Sequence, residues 1–302
     1  MRIAITASTG LIGSALSQAL SRDGVSVLRL VRRPARSGEL QWDPTRPDGG
    51  LMASALDGVD AVVHFSGAPL AAGRWTPARK RELRASRIDS TGALIRAMLA
   101  APAPPPVLLT ASAIGWYGDT GSTAVDETAP NGSGFLATLV RDWEQATVPA
   151  HAAGIRVVNL RSGVVLSGRG GMLKPLMLPF RLGLGAQIGG GTQYTSWITL
   201  TDHVAATRFL LSRDDIAGPV NVTAPVPASN AELTRALASA LHRPAVLRVP
   251  AAVVRLALGE LSTELLASSR VVPARLESAG FTFRHPTIGL AVAAAIAERR
   301  LT

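Results

Sequence analysis

The stretch Thr6-Ala7-Ser8-Thr9-Gly10-Leu11-Ile12-Gly13-Ser14-Ala15-Leu16 lies directly behind Met1-Arg2-Ile3-Ala4-Ile5, a short run that reads as a buried strand. From Leu11 onward the apolar residues Leu11, Ile12, Ala15, Leu16 and Leu20 recur at helical spacing. A glycine-rich turn between a strand and a helix points backbone N–H groups outward at the positive end of the helix dipole. That geometry binds a phosphate or pyrophosphate. Gly10 lets the backbone approach such a ligand, and Gly13 lets the helix lie close on the strand. Ala7 stands where the first glycine of the usual Gly-x-x-Gly-x-x-Gly pattern would be. Glycine spacing by itself is weak evidence, but here the strand precedes it and the helix follows, as the motif requires.

Outward from this turn, Val25-Ser26-Val27-Leu28-Arg29-Leu30-Val31 alternates like a strand and ends in Arg32-Arg33. An NAD-binding fold usually places a carboxylate there for the ribose 2′-hydroxyl. An arginine instead pairs bidentately with a 2′-phosphate, which an aspartate would repel. The expected cofactor is therefore NADP(H), with Arg32, nearer the strand end, ahead of Arg33.

Further along, Ala61-Val62-Val63-His64-Phe65 reads as a buried strand running into Ser66-Gly67-Ala68, followed by a helical stretch over about residues 77–100. The proline-rich segment 101–106 resets the chain before the strand Val107–Ser112. A helical stretch over about 134–153 then precedes the strand Ile155–Arg161. This alternation predicts an α/β fold: a doubly wound, Rossmann-type parallel sheet with helices on both faces. Residues 167–195 are rich in Gly, Met, Leu and Pro, which suits a loop and short elements around a pocket. Trp197–Asp202 leads into another helix, and Val220–Thr223 reads as a further strand. Helical segments from Pro225 onward predict a smaller, partly discontinuous C-terminal lobe. The expected organisation is a Rossmann core over 1–166, to which 197–224 returns, with 167–196 and 225–302 forming a substrate-side lobe and a C-terminal module. Ligands of doubly wound sheets sit beyond the carboxyl ends of the strands. That gathers the glycine turn, Ser66-Gly67, Ser112 and Arg161 around one crevice.

Composition narrows the classes. A chain of 302 residues buries a sizeable core, and no apolar run reaches the length of a membrane span. The first residues imitate a signal peptide, but Thr, Ser and Gly interrupt the apolar region, so a cytoplasmic protein without a membrane partner is expected. The absence of cysteine excludes disulfides, thiolate metal sites and a cysteine nucleophile. His64, His151, His203, His242 and His285 are scattered without ligand spacing, so no metal is expected. The net charge of +10 comes almost wholly from arginine, Lys80 and Lys174 being the only lysines. No recognition motif or stacking platform accompanies the densest basic run, Arg74–Arg87, and no nucleic-acid partner is expected.

Taken together these residues resemble the extended short-chain dehydrogenase/reductase superfamily, and within it the atypical epimerase-like branch (NAD-dependent epimerase-like or cell-division-inhibitor-like proteins). The resemblance rests on Thr9-Gly10-Leu11-Ile12-Gly13, Val31-Arg32-Arg33, Ser66-Gly67, Gly73-Arg74-Trp75-Thr76 and Ser86-Arg87. It extends through Ser112–Asp119, Asp142-Trp143-Glu144, Arg161–Leu166, Pro179–Gly185 and Trp197-Ile198, then Arg270–Pro273 and Ala279–Pro286, and covers essentially the whole chain. It implies that Gly10, Leu11, Ile12, Arg32, Phe65, Ser66, Glu82, Arg87 and Arg161 lie at or near the cofactor, with Thr9 and Gly67 beside them. Arg87 could reach a phosphate or ribose from a helix facing the crevice. Glu82 could equally serve as an intrahelical partner of the arginines around it.

The chain departs from the superfamily where catalysis is concerned. A tyrosine with a lysine four residues later normally handles the proton and holds the nicotinamide ribose. Here the segment reads Phe135-Leu136-Ala137-Thr138-Leu139, which carries neither proton nor charge. Ser112 remains at the position of the hydroxyl that polarises the substrate, and Tyr117 is the nearby alternative acid/base, or a packing residue beside the pocket. Two functions follow: an NADP(H)-dependent epimerase-like oxidoreductase acting on a carbonyl or sugar-like small molecule, or a catalytically silent NADP(H)-sensing or partner-binding protein.

Overall fold

The computed structural model describes residues 1–46 and 48–300. The first half alternates strand and helix: β1 (Arg2–Thr6), α1 (Leu11–Arg22), β2 (Ser26–Val31), β3 (Glu39–Gln41), β4 (Ala61–His64), α2 (Pro77–Ala85), α3 (Ile88–Ala100), β5 (Val107–Ala113), α4 (Phe135–Gln145), α5 (Val148–Ala152) and β6 (Arg156–Ser162). Short strands follow: β7 (Val164–Ser167), β8 (Gly170–Gly171), then α6 (Leu173–Arg181), β9 (Ala186–Ile188), β10 (Tyr194–Thr195) and β11 (Trp197–Thr199). The remainder comprises α7 (Leu200–Leu211), β12 (Gly218–Val222), β13 (Ala228–Ser229), α8 (Asn230–Leu241), β14 (Leu247–Val249), α9 (Ala251–Leu258), α10 (Leu261–Leu266), α11 (Ala274–Ser278) and α12 (Ile288–Arg300).

Seven strands form one parallel sheet in the order β12-β6-β5-β4-β1-β2-β3. Strand order reverses between β1 and β4, the switch point at which a doubly wound sheet opens a crevice. Period-two alternation sorts the side chains of each strand onto two faces. Ile3 and Ile5 of β1 join Val63, Leu109, Val158 and Leu160 against Leu16 of α1 and Leu210 of α7. Ala4, Val62, Leu108 and Val157 turn the other way, onto Leu94, Ile95 and Met98 of α3. Both faces are covered, which is why the strands read as near-continuous apolar runs.

Two long helical stretches are interrupted. Residues 77–100 divide at Ser86 and Arg87, where the Ser86 hydroxyl donates back to the Leu83 carbonyl and accepts the Ala68 N–H. Residues 134–153 divide after Gln145, because Pro149 has no N–H to continue the ladder. A third apolar cluster joins Leu173, Met177 and Phe180 of α6 to Trp197, Leu233 and Leu237 of α8, and Val292 and Ile296 of α12. The C-terminal segment is fastened to the core by the buried Asp202 carboxylate, which accepts the Arg284 and His285 N–H groups at 2.9 and 3.0 Å. Among the described residues no helix is long and apolar enough to cross a membrane.

Candidate cofactor site and its buried network

The glycine turn closes through the Ala7 carbonyl, which accepts the Gly10 N–H at 2.9 Å. Ala7, at the first glycine position, adopts φ 48°, the left-handed region that glycine usually fills. Gly13 has a different reason: a Cβ there would lie 2.3 Å from the Ala7 oxygen. Helix α1 begins at Gly10 without a side-chain cap and without an acidic residue in its first turn. Its first N–H groups and positive dipole end are therefore left for a ligand. In the same turn Ser8 Oγ is buried without a hydrogen-bond partner, an orphan that needs an acceptor or donor from outside the chain. These residues fit a bound pyrophosphate. Gly13→Ala should move the Ala7 carbonyl and cost about 1–3 kcal/mol, the range for overpacking, read as a lower urea midpoint together with weaker nucleotide binding.

At the end of β2 the two arginines differ. Arg32 is exposed and its side chain makes no hydrogen bond or ion pair among the described residues. Arg33 is held by Glu39 through two hydrogen bonds of 2.7 Å, which with the Arg36 N–H pull the carboxyl of Glu39 down to about 2. Glu82 is also engaged at the surface, with Arg79 at 2.5 Å, so it serves as that intrahelical partner. Arg87 is buried. Its guanidinium donates to the Leu83 and Ala68 carbonyls at 3.2 and 3.0 Å and lies 5.3 Å from the Trp143 ring. Burial, reinforced by Arg79, lowers its pKa to about 10. Arg87 thus fastens the Ser66–Ala68 loop from beneath instead of reaching across the crevice. Gly67 leaves it room, since a Cβ there would meet Arg87 Cζ at 3.3 Å.

The ends of β1 and β4 are tied by Thr6, whose Oγ1 accepts the Phe65 N–H at 3.0 Å and pairs with His64 Nδ1 at 2.9 Å. Burial pulls His64 down to about 3, so the ring stays neutral. Phe65 packs on the core with its ring 6.0 Å from buried His203.

The ends of β5 and β6 carry the chemistry-bearing groups. Ser112 donates to Glu144 Oε1 at 2.6 Å. Arg161 grips the same carboxylate through Nε and Nη2, both at 2.8 Å. Its Nη1 donates to the Tyr117 hydroxyl at 3.0 Å, and the Trp116 ring lies 4.0 Å from its guanidinium carbon. The Tyr117 phenol donates onward to Asn221 Oδ1 at 2.7 Å. Arg161, Ser112, Tyr117 and Asn221 are all buried. Of the two readings of Tyr117, an alternative acid/base or a packing residue beside the pocket, this geometry favours the second. Its proton is committed to Asn221, its oxygen accepts from Arg161, and burial pushes its pKa up. Phe135, expected in place of the catalytic tyrosine, packs edge-on against Trp75 at 5.1 Å with Lys80 Nζ 4.9 Å from its ring. Leu139 is buried in the same cluster.

Ser112, Tyr117 and Arg161 thus come together, while Glu82 and Arg33 are paired at the surface. Sequence reasoning missed Glu144 as the centre of the network and Asn221 as the partner of Tyr117. Glu144 left a trace: it stands four residues beyond buried Val140, so a carboxylate points along the inward face of α4. Among the described residues no group of three or more His, Asp or Glu side chains could hold a metal. A cavity of about 500 Å³ is lined by Asp119, Ser122, Gly190, Tyr194, Arg255 and Ser268.

Residues 3–223 match the NAD dependent epimerase/dehydratase family, and residues 249–295 match a domain of unknown function (DUF1731). An epimerase family protein of Mycobacterium bovis is 49% identical over 292 residues, covering 96% of each chain. The crystal structure of human epimerase family protein SDR39U1 (isoform 2) with NADPH superposes with a TM-score of 0.88 at 33% identity, covering 97% of this chain and 98% of that one. A nucleoside-diphosphate sugar epimerase from Corynebacterium glutamicum superposes at 0.81 with 37% identity, covering 98% of this chain and 58% of that one. With that match spanning most of its length, the chain belongs to the NAD dependent epimerase/dehydratase family.

Proposed function

We propose that this protein is an NADP(H)-dependent, epimerase-like oxidoreductase acting on a small carbonyl or sugar-like molecule. The observation that carries the cofactor is the free guanidinium of Arg32 at the end of β2, beside an uncapped α1 N-terminus and with no carboxylate in the ribose position. The NADPH found with human SDR39U1 supports the same choice. Gly10, Leu11 and Ile12 hold the pyrophosphate, and Thr9, Phe65, Ser66 and Gly67 line its approach. Arg32 takes the 2′-phosphate, and Arg87 keeps the Ser66–Ala68 loop in place. The cofactor, when bound, supplies hydride chemistry.

Ser112 supplies the hydrogen-bonding atom for the reacting oxygen. Its hydroxyl donates to Glu144, which leaves the lone pairs of its oxygen to accept a substrate hydroxyl, and Arg161 holds the Glu144 carboxylate aligned. Tyr117 and Asn221 hold Arg161 in that position. A second reading, a catalytically silent NADP(H) sensor, is favoured by the apolar seam that Phe135 and Leu139 form where a tyrosine and lysine would act.

Calorimetry with NADPH and NADH on the wild type and Arg32→Ala tests the cofactor. Hydrogen bonds to charged groups are worth about 1.5–3 kcal/mol, so the variant should bind NADPH about 10- to 100-fold more weakly. NADH, which lacks the 2′-phosphate, should change little. Equal losses for both nucleotides would reassign Arg32 to the fold or the pyrophosphate, and tighter binding of NADH by the wild type would sink the NADP(H) assignment.

A further inference from the structure

Away from the crevice, one face of the C-terminal half combines exposed aliphatic side chains with unpaired positive charge. Leu178 is 62% exposed, Leu182 65%, Leu184 57%, Val246 81% and Leu247 45%. These residues lie on adjoining elements. Beyond the end of α6 the chain passes through Leu182 and Leu184 into β9, β9 pairs in parallel with β14, and Arg243 Nε donates to the Arg181 carbonyl at 3.1 Å. Lys174, Arg181, Arg243 and Arg248 stand around them, all exposed. Among the described residues none of these four has an ion-pair partner. The chain carries no Asp or Glu between Glu144 and Asp202, nor between Glu232 and Glu260. Glu232, the one carboxylate on α8, is bound to Ser229 in the capping box that starts that helix.

From this pairing of aliphatic prominence with uncompensated cationic charge, we propose that the α6–β9–β14 face adsorbs to an anionic lipid surface. The aliphatic side chains enter the boundary between headgroups and acyl chains, and the arginines and lysine meet the lipid charge. Adsorption requires only a face, so the absence of a spanning helix among the described residues does not oppose it. A second copy of the chain fits poorly, because a self-complementary contact would bring the same cationic groups together. Protein–protein hot spots are rich in Trp, Tyr and Arg and poor in Leu and Val, and the exposed apolar residues here are only leucine and valine. Nucleic acid would gain nothing from five aliphatic side chains.

The test is co-sedimentation of the full chain with vesicles of phosphatidylcholine alone and of phosphatidylcholine and phosphatidylglycerol in equal parts. Binding to the mixed vesicles only, weakened by salt, is expected. Each basic residue near such a surface is worth roughly a five-fold change in binding, so R181Q/R248Q should bind about 25-fold more weakly. L182D/L184D should lose binding even at low salt while keeping its circular dichroism spectrum and NADPH affinity. Failure of the wild type to pellet with the mixed vesicles overturns the proposal. So does unchanged binding by L182D/L184D, which would mean unspecific charge adsorption. Capture of polyglutamate without vesicle binding would assign the face to an acidic protein. A vesicle-free dimer of the wild type that L182D/L184D dissolves would assign it to a second copy.

Discussion

Glu144→Ala is expected to lower the stability of the protein by about 3–5 kcal/mol, the cost of leaving a buried charge without its partner. Arg161 is almost fully buried and directs two of its three hydrogen bonds at that one carboxylate. Ser112 loses its acceptor in the same step. Urea unfolding should show a lower midpoint with an unchanged slope, since the surface exposed on unfolding stays the same. The double variant Glu144→Leu/Arg161→Met should recover much of the loss, because buried pairs replaced by apolar groups of similar size are often neutral. Asp215→Asn is the control: it removes an exposed ion pair with Arg213 and should leave the midpoint unmoved. A Glu144→Ala midpoint matching that control would mean that the network is hydrated and does not organise Ser112.

What the sequence made legible follows from the range of the forces involved. Gly13 could be read because its role is fixed by residues a few positions away: a strand, a turn, a helix start. The doubly wound parallel sheet followed from alternation of strand and helix, since each crossover must return across one face, whereas its edge strand β3, only three residues long, was not read. The breaks at Ser86 and Pro149 were not read, although a helix-breaking proline was in view. Apolar periodicity ran through both interruptions and outweighed it. The network around Ser112 was the least legible part. Tyr117 meets Asn221 across 104 positions of sequence, and Arg161 meets Glu144 only when β6 lies alongside α4. The tyrosine was visible as a residue with a proton. Where that proton points is set by a strand that the chain builds much later.

Ser112→Ala is expected to lower turnover by about 10²–10³-fold, the range for losing one positioned hydrogen bond to the reacting oxygen. The readout is NADPH oxidation on any carbonyl of a broad panel that the wild type reduces, or NADP⁺ reduction on the matching alcohol. NADPH affinity should stay within the error of calorimetry, because Ser112 lies in the buried network and the pyrophosphate is held by the glycine turn. Tyr117→Phe separates the two candidate roles of the phenol. Removing the hydroxyl leaves Asn221 Oδ1 without a donor and Arg161 Nη1 without an acceptor. An unsatisfied buried polar group costs about 1–3 kcal/mol, so Tyr117→Phe should lose stability, with a smaller loss of turnover than Ser112→Ala. A Tyr117→Phe enzyme with full stability and turnover as low as that of Ser112→Ala would instead make the phenol the proton donor. A wild type that oxidises no NADPH across the whole panel while binding it tightly would leave Ser112 as one more fastening of a sensor. The apolar packing of Phe135 and Leu139 would then be the reason that chemistry is absent.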